Sequence, residues 1–262
     1  MFFLYGTGAN GKSVFLNTIT GILGEYAKTA PIEAFLASGF ERHPTDLAGL
    51  QGARLVTAIE TEEGRRWAES KIKALTGGDR ISARFMRQDF FEFTPAFKLV
   101  LAGNHKPGLR SVDEAIRRRL HLVPFTVTIP LSERDQELAD KLREEWCGIL
   151  QWAIQGCSEW LRDGLRPARV VQEATADYLA AEDAVGGWLE ERCEGSRGHQ
   201  TTTGALFHDW EEWCKGSGEH PGSQKKFSQA LETRGFQRVR IGSAQTRGFL
   251  GLALRSDVEQ SA

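Results

Sequence analysis

The stretch FFLYGTGANGKS, from Phe2 to Ser13, gives the strongest indication of the fold in this 262-residue sequence. Its apolar start predicts a buried strand, and the residues that follow fit the pattern G-x-x-x-x-G-K-[ST]. Glycines let the backbone point successive N–H groups at phosphates, and the start of a helix adds positive potential. Apolar residues at helical spacing from Phe15 to Leu23, ended by Gly24, predict that helix. The stretch therefore predicts a site for a nucleoside triphosphate.

The pattern also predicts a role for the side chains in this loop. Lys12 would reach the β- and γ-phosphates, and the Ser13 hydroxyl would hold Mg²⁺. The predicted nucleotide-binding residues are Gly6, Thr7, Gly8, Ala9, Asn10, Gly11, Lys12 and Ser13.

Length and composition predict a globular chain with one α/β domain and a smaller second one, since 40% of the residues are hydrophobic and 26% are charged. No apolar run approaches the roughly 20 residues that cross a bilayer, so no membrane association is expected. The four cysteines form no C-x-x-C pair, which predicts free thiols in a reducing cytoplasm and no zinc site.

A second strand, from Arg54 to Glu60, is apolar and β-prone and ends in a carboxylate. Parallel sheets place ligands at the carboxyl ends of their strands, so this acid is expected near the triphosphate. Two assignments remain open. Either Glu60 holds Mg²⁺ and Glu62 is its catalytic partner, or Glu60 is itself catalytic; Glu63 is a further candidate.

Two short alternating runs, Ile81 to Arg87 and Phe91 to Thr94, predict a β-hairpin around a polar turn. Arg84 and Arg87 lie near its tip, where basic residues suit contact with a nucleic-acid backbone.

The next apolar strand ends at Asn104, whose amide is expected to reach the γ-phosphate or the attacking water. The sequence after it, NHKP, lacks the N-K-x-D pattern that reads guanine, which favours adenine. A short helix then ends in Arg117, Arg118 and Arg119. These arginines fit either a solvated surface or an arginine finger that acts on a neighbouring subunit's nucleotide.

The C-terminal third is predicted to be helical from Glu133 to Leu161, with bends at Gly148 and Gly156 and with its tryptophans in the core. A loop is expected from Glu194 to Gln200. After it, two helices and two strand-like runs have the order of a winged helix. Lys225 and Lys226 would begin its recognition helix and Arg247 would lie on its wing.

Charge supports contact between this segment and a polyanion. Residues 224–255 carry seven basic residues and one acid, a net charge of +6, within a chain whose net charge is −2.

Five motifs in this order resemble the superfamily 3 helicases of phage and plasmid primase-helicase proteins. They are GTGANGKS (6–13), AIETEEG (58–64), KALTGGDRISAR (73–84), FEFTPAFKLVLAGNHKP (91–107) and DEAIRRRLHLVPF (113–125). The resemblance implies an AAA+-like P-loop NTPase core with a parallel sheet and helices on both faces. It also implies hexameric rings around DNA in a bacterial host cytoplasm.

The resemblance assigns further roles, with Glu60 as the Walker B acid, Asn104 as sensor 1 and Arg118 or Arg119 as the finger. It assigns Lys73 and the hairpin to the DNA-facing motif. Arg117 departs from the family pattern, in which an aromatic residue is common here. The primase region and the helical segment before the core are also absent from the sequence, which is expected to begin at a fragment boundary or a misplaced initiation codon.

The predicted organisation is an ATPase core at 1–130, a helical region at 131–195 and a winged-helix domain at 196–262. The predicted function is an ATP- and Mg²⁺-dependent DNA helicase motor acting on single-stranded or forked DNA. The alternative is a truncated remnant that binds ATP and DNA without turnover.

Overall fold

The chain forms two compact units, Met1–Leu179 and Ala180–Ala262. The computed structural model describes residues 1–38, 45–59, 64–109, 112–243 and 245–255, apart from the side chains at 196 and 197. The predicted division into three segments, with boundaries after residues 130 and 195, stays a prediction.

The first unit alternates strands with helices. Its elements are β1 (Phe2–Tyr5), α1 (Lys12–Leu23), β2 (Ala27–Thr29), α2 (Thr45–Ala48), β3 (Leu55–Ile59), α3 (Glu69–Gly77), β4 (Ile81–Ala83), β5 (Phe91–Phe93), β6 (Lys98–Gly103), α4 (Glu114–Arg117), β7 (His121–Pro124), α5 (Leu138–Glu144), α6 (Trp146–Asp163) and α7 (Arg169–Ala181).

Five of these strands form a parallel sheet in the order β2-β3-β6-β1-β7. The opening strand β1 is central, because β6 pairs with one of its edges and β7 with the other. Tyr5 pairs with Gly103 and with Pro124, so these three strands end at one level of the carboxyl edge. This edge is where the predicted site residues were expected.

Alternation along β1 divides the core between the two faces of the sheet. Phe3 packs with Trp67 and Ile72, which belong to the segment before α3 and to α3 itself. Leu4, the next residue, packs instead with Leu16 of α1. Successive side chains of a strand point to opposite faces, so helices cover both sides. The predicted α/β class with a parallel sheet is therefore confirmed.

The predicted hairpin is present as a separate antiparallel pair. Ile81, Ser82 and Ala83 of β4 pair with Phe93, Glu92 and Phe91 of β5. The ladder is shorter than the alternation predicted, and residues 84–90 form the connection.

The prediction for residues 133–161 was wrong in two respects. The helix breaks at Glu145, between α5 and α6. The helix α6 continues through Gly148 and Gly156, and the bends expected there stay a prediction. The expected core placement of the tryptophans was wrong for Trp152, which is 69% exposed, and for Trp160, which is 42% exposed, whereas it is confirmed for the buried Trp188 and Trp210. No helix within the described residues has the length and apolar character that a bilayer span requires.

The second unit has the elements α8 (Ala184–Arg192), β8 (Cys193–Thr202), α9 (Thr203–Ser217), α10 (Gln224–Thr233), β9 (Gln237–Ile241) and β10 (Thr246–Leu254). The strands form an antiparallel sheet in the order β8-β10-β9. The loop predicted at 194–200 was wrong, because these polar residues belong to β8, and Glu194, Gly195 and Gln200 pair with β10. Trp188, Trp210 and Phe227 form the aromatic centre of the core beneath this sheet.

Candidate functional site

The candidate site begins where β1 ends, at Gly6. The Gly6 N–H donates to the Gly103 carbonyl at 3.3 Å, and the Phe125 N–H donates to the Tyr5 carbonyl at 2.6 Å. A Cβ atom at position 6 would lie 2.1 Å from the Phe125 carbonyl oxygen. Only glycine therefore allows the neighbouring strands to approach this closely.

The loop from Gly6 to Ser13 then turns through left-handed backbone. The φ angles are 106° at Gly8, 48° at Ala9 and 85° at Gly11. The Ala9 carbonyl accepts a hydrogen bond from the Ile129 N–H at 2.8 Å, which ties the loop to the chain after β7. Gly11 precedes α1, and no side chain in the described part of the chain caps that helix start. The first N–H groups of α1 are therefore available to an anion.

Lys12 is the charged centre of the site. Only 6% of its surface is exposed, and its ammonium donates to the Gly6 carbonyl at 2.5 Å, to Asn10 Oδ1 at 3.1 Å and to Asn104 Oδ1 at 3.2 Å. Burial lowers the pKa of Lys12. All three acceptors are neutral oxygens, so among the residues that the structure describes no carboxylate is bonded to this ammonium.

Asn10 has a role that the sequence pattern did not reveal. Its Nδ2 donates to the Phe125 carbonyl at 2.9 Å, which leaves Oδ1 directed at the Lys12 ammonium. Position 10 is one of the variable positions in the pattern G-x-x-x-x-G-K-[ST]. The sequence therefore predicted only that its backbone would contribute to the phosphate site.

Asn104 follows β6 as expected and meets Lys12 across 92 residues of sequence. The structure therefore brings together the loop, its lysine and the asparagine of the adjacent strand. Glu60, Glu62 and Glu63 lie outside the described residues. The last described residue before them, Ile59, ends β3 and pairs with Ala102.

The predicted arginine fingers, Arg118 and Arg119, lie at the amino-terminal edge of the sheet, opposite the carboxyl edge. The Arg119 carbonyl accepts from the Met1 amino group at 2.7 Å, before β1, whereas Lys12 lies after β1. Four strand residues separate the two levels, about 13 Å at 3.3 Å per residue. Arg118 is exposed, while Arg119 is half-buried and donates to the Ala115 carbonyl at 2.9 Å.

Lys73, which the resemblance assigned to DNA contact, instead lies 2.5 Å from Asp113 in an ion pair. Asp113 caps α4 by accepting from the Ile116 N–H at 2.9 Å. Burial raises the pKa of Asp113, but the bonds from Lys73 and the Ile116 N–H outweigh it, so the pKa lies below its usual value.

The two hairpin arginines differ in their surroundings. The Arg84 guanidinium lies 4.7 Å from the centre of the Phe90 ring, and Arg84 Nε is buried with no hydrogen-bond partner among the residues that the structure describes. Arg87 is exposed at the turn with a φ of 59°.

In the second unit the three predicted basic residues are exposed. Lys225 and Lys226 lie in the first turn of α10, which Ser223 caps by accepting from the Lys226 N–H. Arg247 on β10 pairs in register with Arg240 on β9.

Comparisons with known proteins agree with a helicase-like family. Residues 4–119 match a family described as "Family of unknown function (DUF5906)". The chain is 26% identical over 81% of its length to "Putative helicase L207/L206" of Acanthamoeba polyphaga mimivirus. It is 24% identical over 98% of its length to "Putative helicase 022R" of Frog virus 3. "Putative helicase 184R" of Invertebrate iridescent virus 6 is 30% identical over 53% of the chain.

The chain covers 24% and 28% of the first two of these relatives, so it spans about a quarter of their length. Among solved structures it resembles "The A form apo structure of NrS-1 C terminal region-CTR" with a TM-score of 0.50 at 11% identity. That match covers 95% of this chain and 66% of the other. At this identity the likeness concerns the fold alone.

Proposed function

We propose that this chain is the ATP-hydrolysing motor segment of a DNA helicase of the superfamily 3, AAA+-like type. The observation that carries the proposal is the Lys12 ammonium, which is buried among three neutral oxygens in front of an uncapped helix start. A buried cation that no carboxylate in the described part of the chain bonds suits an anionic ligand, because burial makes an uncompensated charge costly.

The loop at 6–13 fits the phosphates of ATP in this proposal and acts as a P-loop. Left-handed residues such as Gly8, Ala9 and Gly11 are the kind that form anion-binding loops of backbone N–H groups, and Gly6 keeps β1 close to β7. Lys12 would exchange its contacts with Asn10 and Asn104 for phosphate oxygens. Asn104, released from Lys12, would then orient the attacking water.

A bound Mg²⁺ would neutralise charge on the phosphates. The donors available are the hydroxyl of Ser13, which is exposed at the start of α1, and the carboxylate of Glu60, which follows Ile59 in sequence. Oxygen donors of this kind suit Mg²⁺. Glu60, or its neighbours Glu62 and Glu63, would also activate the water.

An arginine finger in this proposal comes from a second copy of the chain. Arg118 is exposed at the amino edge of the sheet, about four strand residues from the level of Lys12, so it cannot serve the site of its own chain. Arg119 is held by backbone bonds and is the weaker candidate. A ring of copies, hexameric in the family that the sequence resembles, supplies such a neighbour.

DNA contact is assigned to two surfaces. In the first unit these are Arg84 and Arg87 of the hairpin. In the second unit they are Lys225, Lys226 and Arg247 of a winged helix, whose order of elements the structure supports. The relatives named as putative helicases support this assignment at the level of the family.

ATP hydrolysis measured with and without single-stranded DNA, together with unwinding of a forked duplex, tests the proposal. We expect DNA-stimulated hydrolysis that Lys12→Ala abolishes. A pure chain that binds ATP and DNA but never hydrolyses ATP would overturn the motor assignment and favour a truncated remnant.

A further inference from the structure

A buried tyrosine connects two segments at the carboxyl edge of the parallel sheet. Tyr178 lies on α7 and is 3% exposed. Its hydroxyl donates to the Pro107 carbonyl and accepts a hydrogen bond from Trp67 Nε1 at 3.1 Å. Pro107 follows Asn104 after β6, and Trp67 lies between β3 and α3. One hydroxyl on a helix therefore joins the segment after β6 to the segment after β3.

Backbone hydrogen bonds hold the same two segments together. The Gly108 N–H donates to the Arg65 carbonyl at 2.8 Å, and the Trp67 N–H donates to the Gly108 carbonyl at 3.0 Å. A Cβ atom at Gly103 would lie 3.3 Å from the His105 carbonyl oxygen, so the chain turns back closely over the end of β6. The segment after β6 is therefore held at both of its ends, by the strand and by these bonds.

The Tyr178 ring makes a separate contact at this edge. The Lys106 ammonium lies 4.6 Å from the centre of the Tyr5 ring and 5.9 Å from the centre of the Tyr178 ring. Tyr5 ends β1 and directly precedes the loop that begins at Gly6. A cation near an aromatic face is attracted by the ring. The ring and the hydroxyl of Tyr178 thus act on different neighbours, and a phenylalanine would keep the first contact while losing the second.

Loss of the hydroxyl would take a hydrogen-bond partner from two buried groups. Trp67 is 2% exposed and Pro107 is buried, so neither the indole N–H nor the carbonyl has ready access to water. A buried polar group without a partner is costly, so we expect the segment after β6 to shift until both groups are satisfied. Asn104 lies three residues before Pro107, and its Oδ1 accepts from Lys12 at 3.2 Å. Such a shift would displace the Asn104 amide.

We infer that Tyr178 is a positioning residue for ATP hydrolysis, because its hydroxyl fixes the segment that carries Asn104. The inference rests on the proposed function, in which Asn104 orients the attacking water, and it adds a helix residue that acts on the reaction only through Asn104. The placement of such a group matters, since a shift of about 1 Å can lower a rate about a hundredfold. Nucleotide affinity depends instead on Lys12 and its loop, so it should not depend on the hydroxyl.

Tyr178→Phe tests the inference, because it keeps the ring beside Lys106 and removes the hydroxyl. We expect kcat for ATP to fall at least about tenfold and the affinity for a fluorescent ATP analogue to change less than about twofold. Thr175→Val is the matched control on the same helix. The Thr175 hydroxyl accepts from the Leu122 N–H at 2.9 Å, so its loss should lower the stability of the fold and leave kcat unchanged.

A double variant separates positioning from general destabilisation. In the Asn104→Ala background, Tyr178→Phe should lower kcat by less than a further factor of about two, since the group through which it acts is already gone. A tyrosine that only supported the fold would lower kcat by the same factor in both backgrounds.

Hydrogen exchange measured by NMR gives a readout that does not require hydrolysis. Tyr178→Phe should speed exchange at least about tenfold at the Trp67 and Gly108 amides, which close the contact between the two segments. The amides of β1 should exchange as they do in the wild type, because its pairing with β6 and β7 does not involve the hydroxyl.

Three results would overturn the inference: unchanged kcat in Tyr178→Phe, an undiminished loss in the Asn104→Ala background, or unchanged exchange at Trp67 and Gly108. In each of these cases the wild type still hydrolyses ATP, so the proposed function stands. A wild type that hydrolyses no ATP would overturn both.

Discussion

Lys12 and Asn104 are hydrogen-bonded at 3.2 Å although 92 residues separate them in sequence. The contact exists because β1 and β6 are parallel neighbours that end at the same level, with Tyr5 paired to Gly103. The asparagine oxygen holds the Lys12 ammonium that ATP would require, so each residue helps to fix the position of the other. The two residues can therefore be separated experimentally by their effects on binding and on hydrolysis.

Replacing Lys12 by alanine should abolish nucleotide binding, because it removes the buried ammonium that bonds to the loop at Gly6 and Asn10. We expect kcat/KM for ATP to fall at least about a hundredfold. Lys28→Ala, at an exposed lysine of β2, is the control and should leave hydrolysis unchanged. Binding of a fluorescent ATP analogue and steady-state hydrolysis measure the effect. Wild-type affinity in Lys12→Ala would remove the basis of the proposed site.

Asn104→Ala should lower the rate of hydrolysis far more than the affinity for nucleotide. Lys12 keeps its bonds to Gly6 and Asn10, so nucleotide affinity should change by less than about threefold, whereas loss of the water-orienting amide should lower kcat by about a hundredfold. Asn104→Asp, which places a carboxylate beside the ammonium, should weaken nucleotide binding as well. A loss of nucleotide affinity with kcat unchanged in Asn104→Ala would show that this asparagine acts on binding alone.

Local sequence patterns predicted the secondary-structure elements that form the candidate site. Strand, glycine loop and helix follow one another within Phe2–Leu23, and the neighbouring strand that ends at Asn104 followed from parallel pairing. The side-chain role of Asn10 escaped because it depends on the Phe125 carbonyl, which lies 115 residues away. Long-range partners of this kind leave no mark in local sequence.

Elsewhere, tertiary contacts overrode local propensity. The polar residues 194–200 belong to β8, which joins the sheet where Glu194, Gly195 and Gln200 pair with β10. The apolar spacing of α6 predicted a buried face, yet Trp152 and Trp160 remain exposed in the single chain. Periodicity reports an amphipathic surface without saying what covers it.

Gly6→Ala should destabilise the first unit because the new Cβ would lie 2.1 Å from a backbone carbonyl oxygen of Phe125. Overpacking against backbone costs about 1–3 kcal/mol. Gly156→Ala is the matched comparison, since its Cβ meets nothing within 4 Å inside α6, and it should stabilise by about 0.5–1 kcal/mol. Urea unfolding of both variants measures the difference. The same sign for both would contradict the packing at Gly6.

The ion pair between Lys73 and Asp113 should make stability depend on acid pH. The folded pKa of Asp113 lies below 3.8, so its contribution is complete above that value and is lost as pH falls through the folded pKa. Both side chains are about a quarter to a third exposed, so about 0.2–1 kcal/mol is expected. Asp113→Asn, which keeps a capping oxygen, should unfold more easily at neutral pH, and its difference from the wild type should shrink as the pH falls below 3.8. A difference that persists undiminished in acid would exclude the ion pair as its cause.

Arg247 and Arg240 are direct cross-strand partners on β10 and β9, and both are exposed. Like charges placed opposite each other destabilise a sheet, so their retention in the second unit suits a polyanion better than the fold. Arg247→Gln should therefore raise the stability of this unit by about 0.2–1 kcal/mol while lowering the salt dependence of duplex DNA binding by about one phosphate contact. Arg255→Gln is the control with the opposite sign, since Arg255 donates to the Glu190 carbonyl at 2.7 Å and its loss should destabilise without affecting DNA. An unchanged salt dependence in Arg247→Gln would remove this surface from the DNA contact, because an arginine that neutralises a phosphate cannot be replaced without changing the number of counterions released.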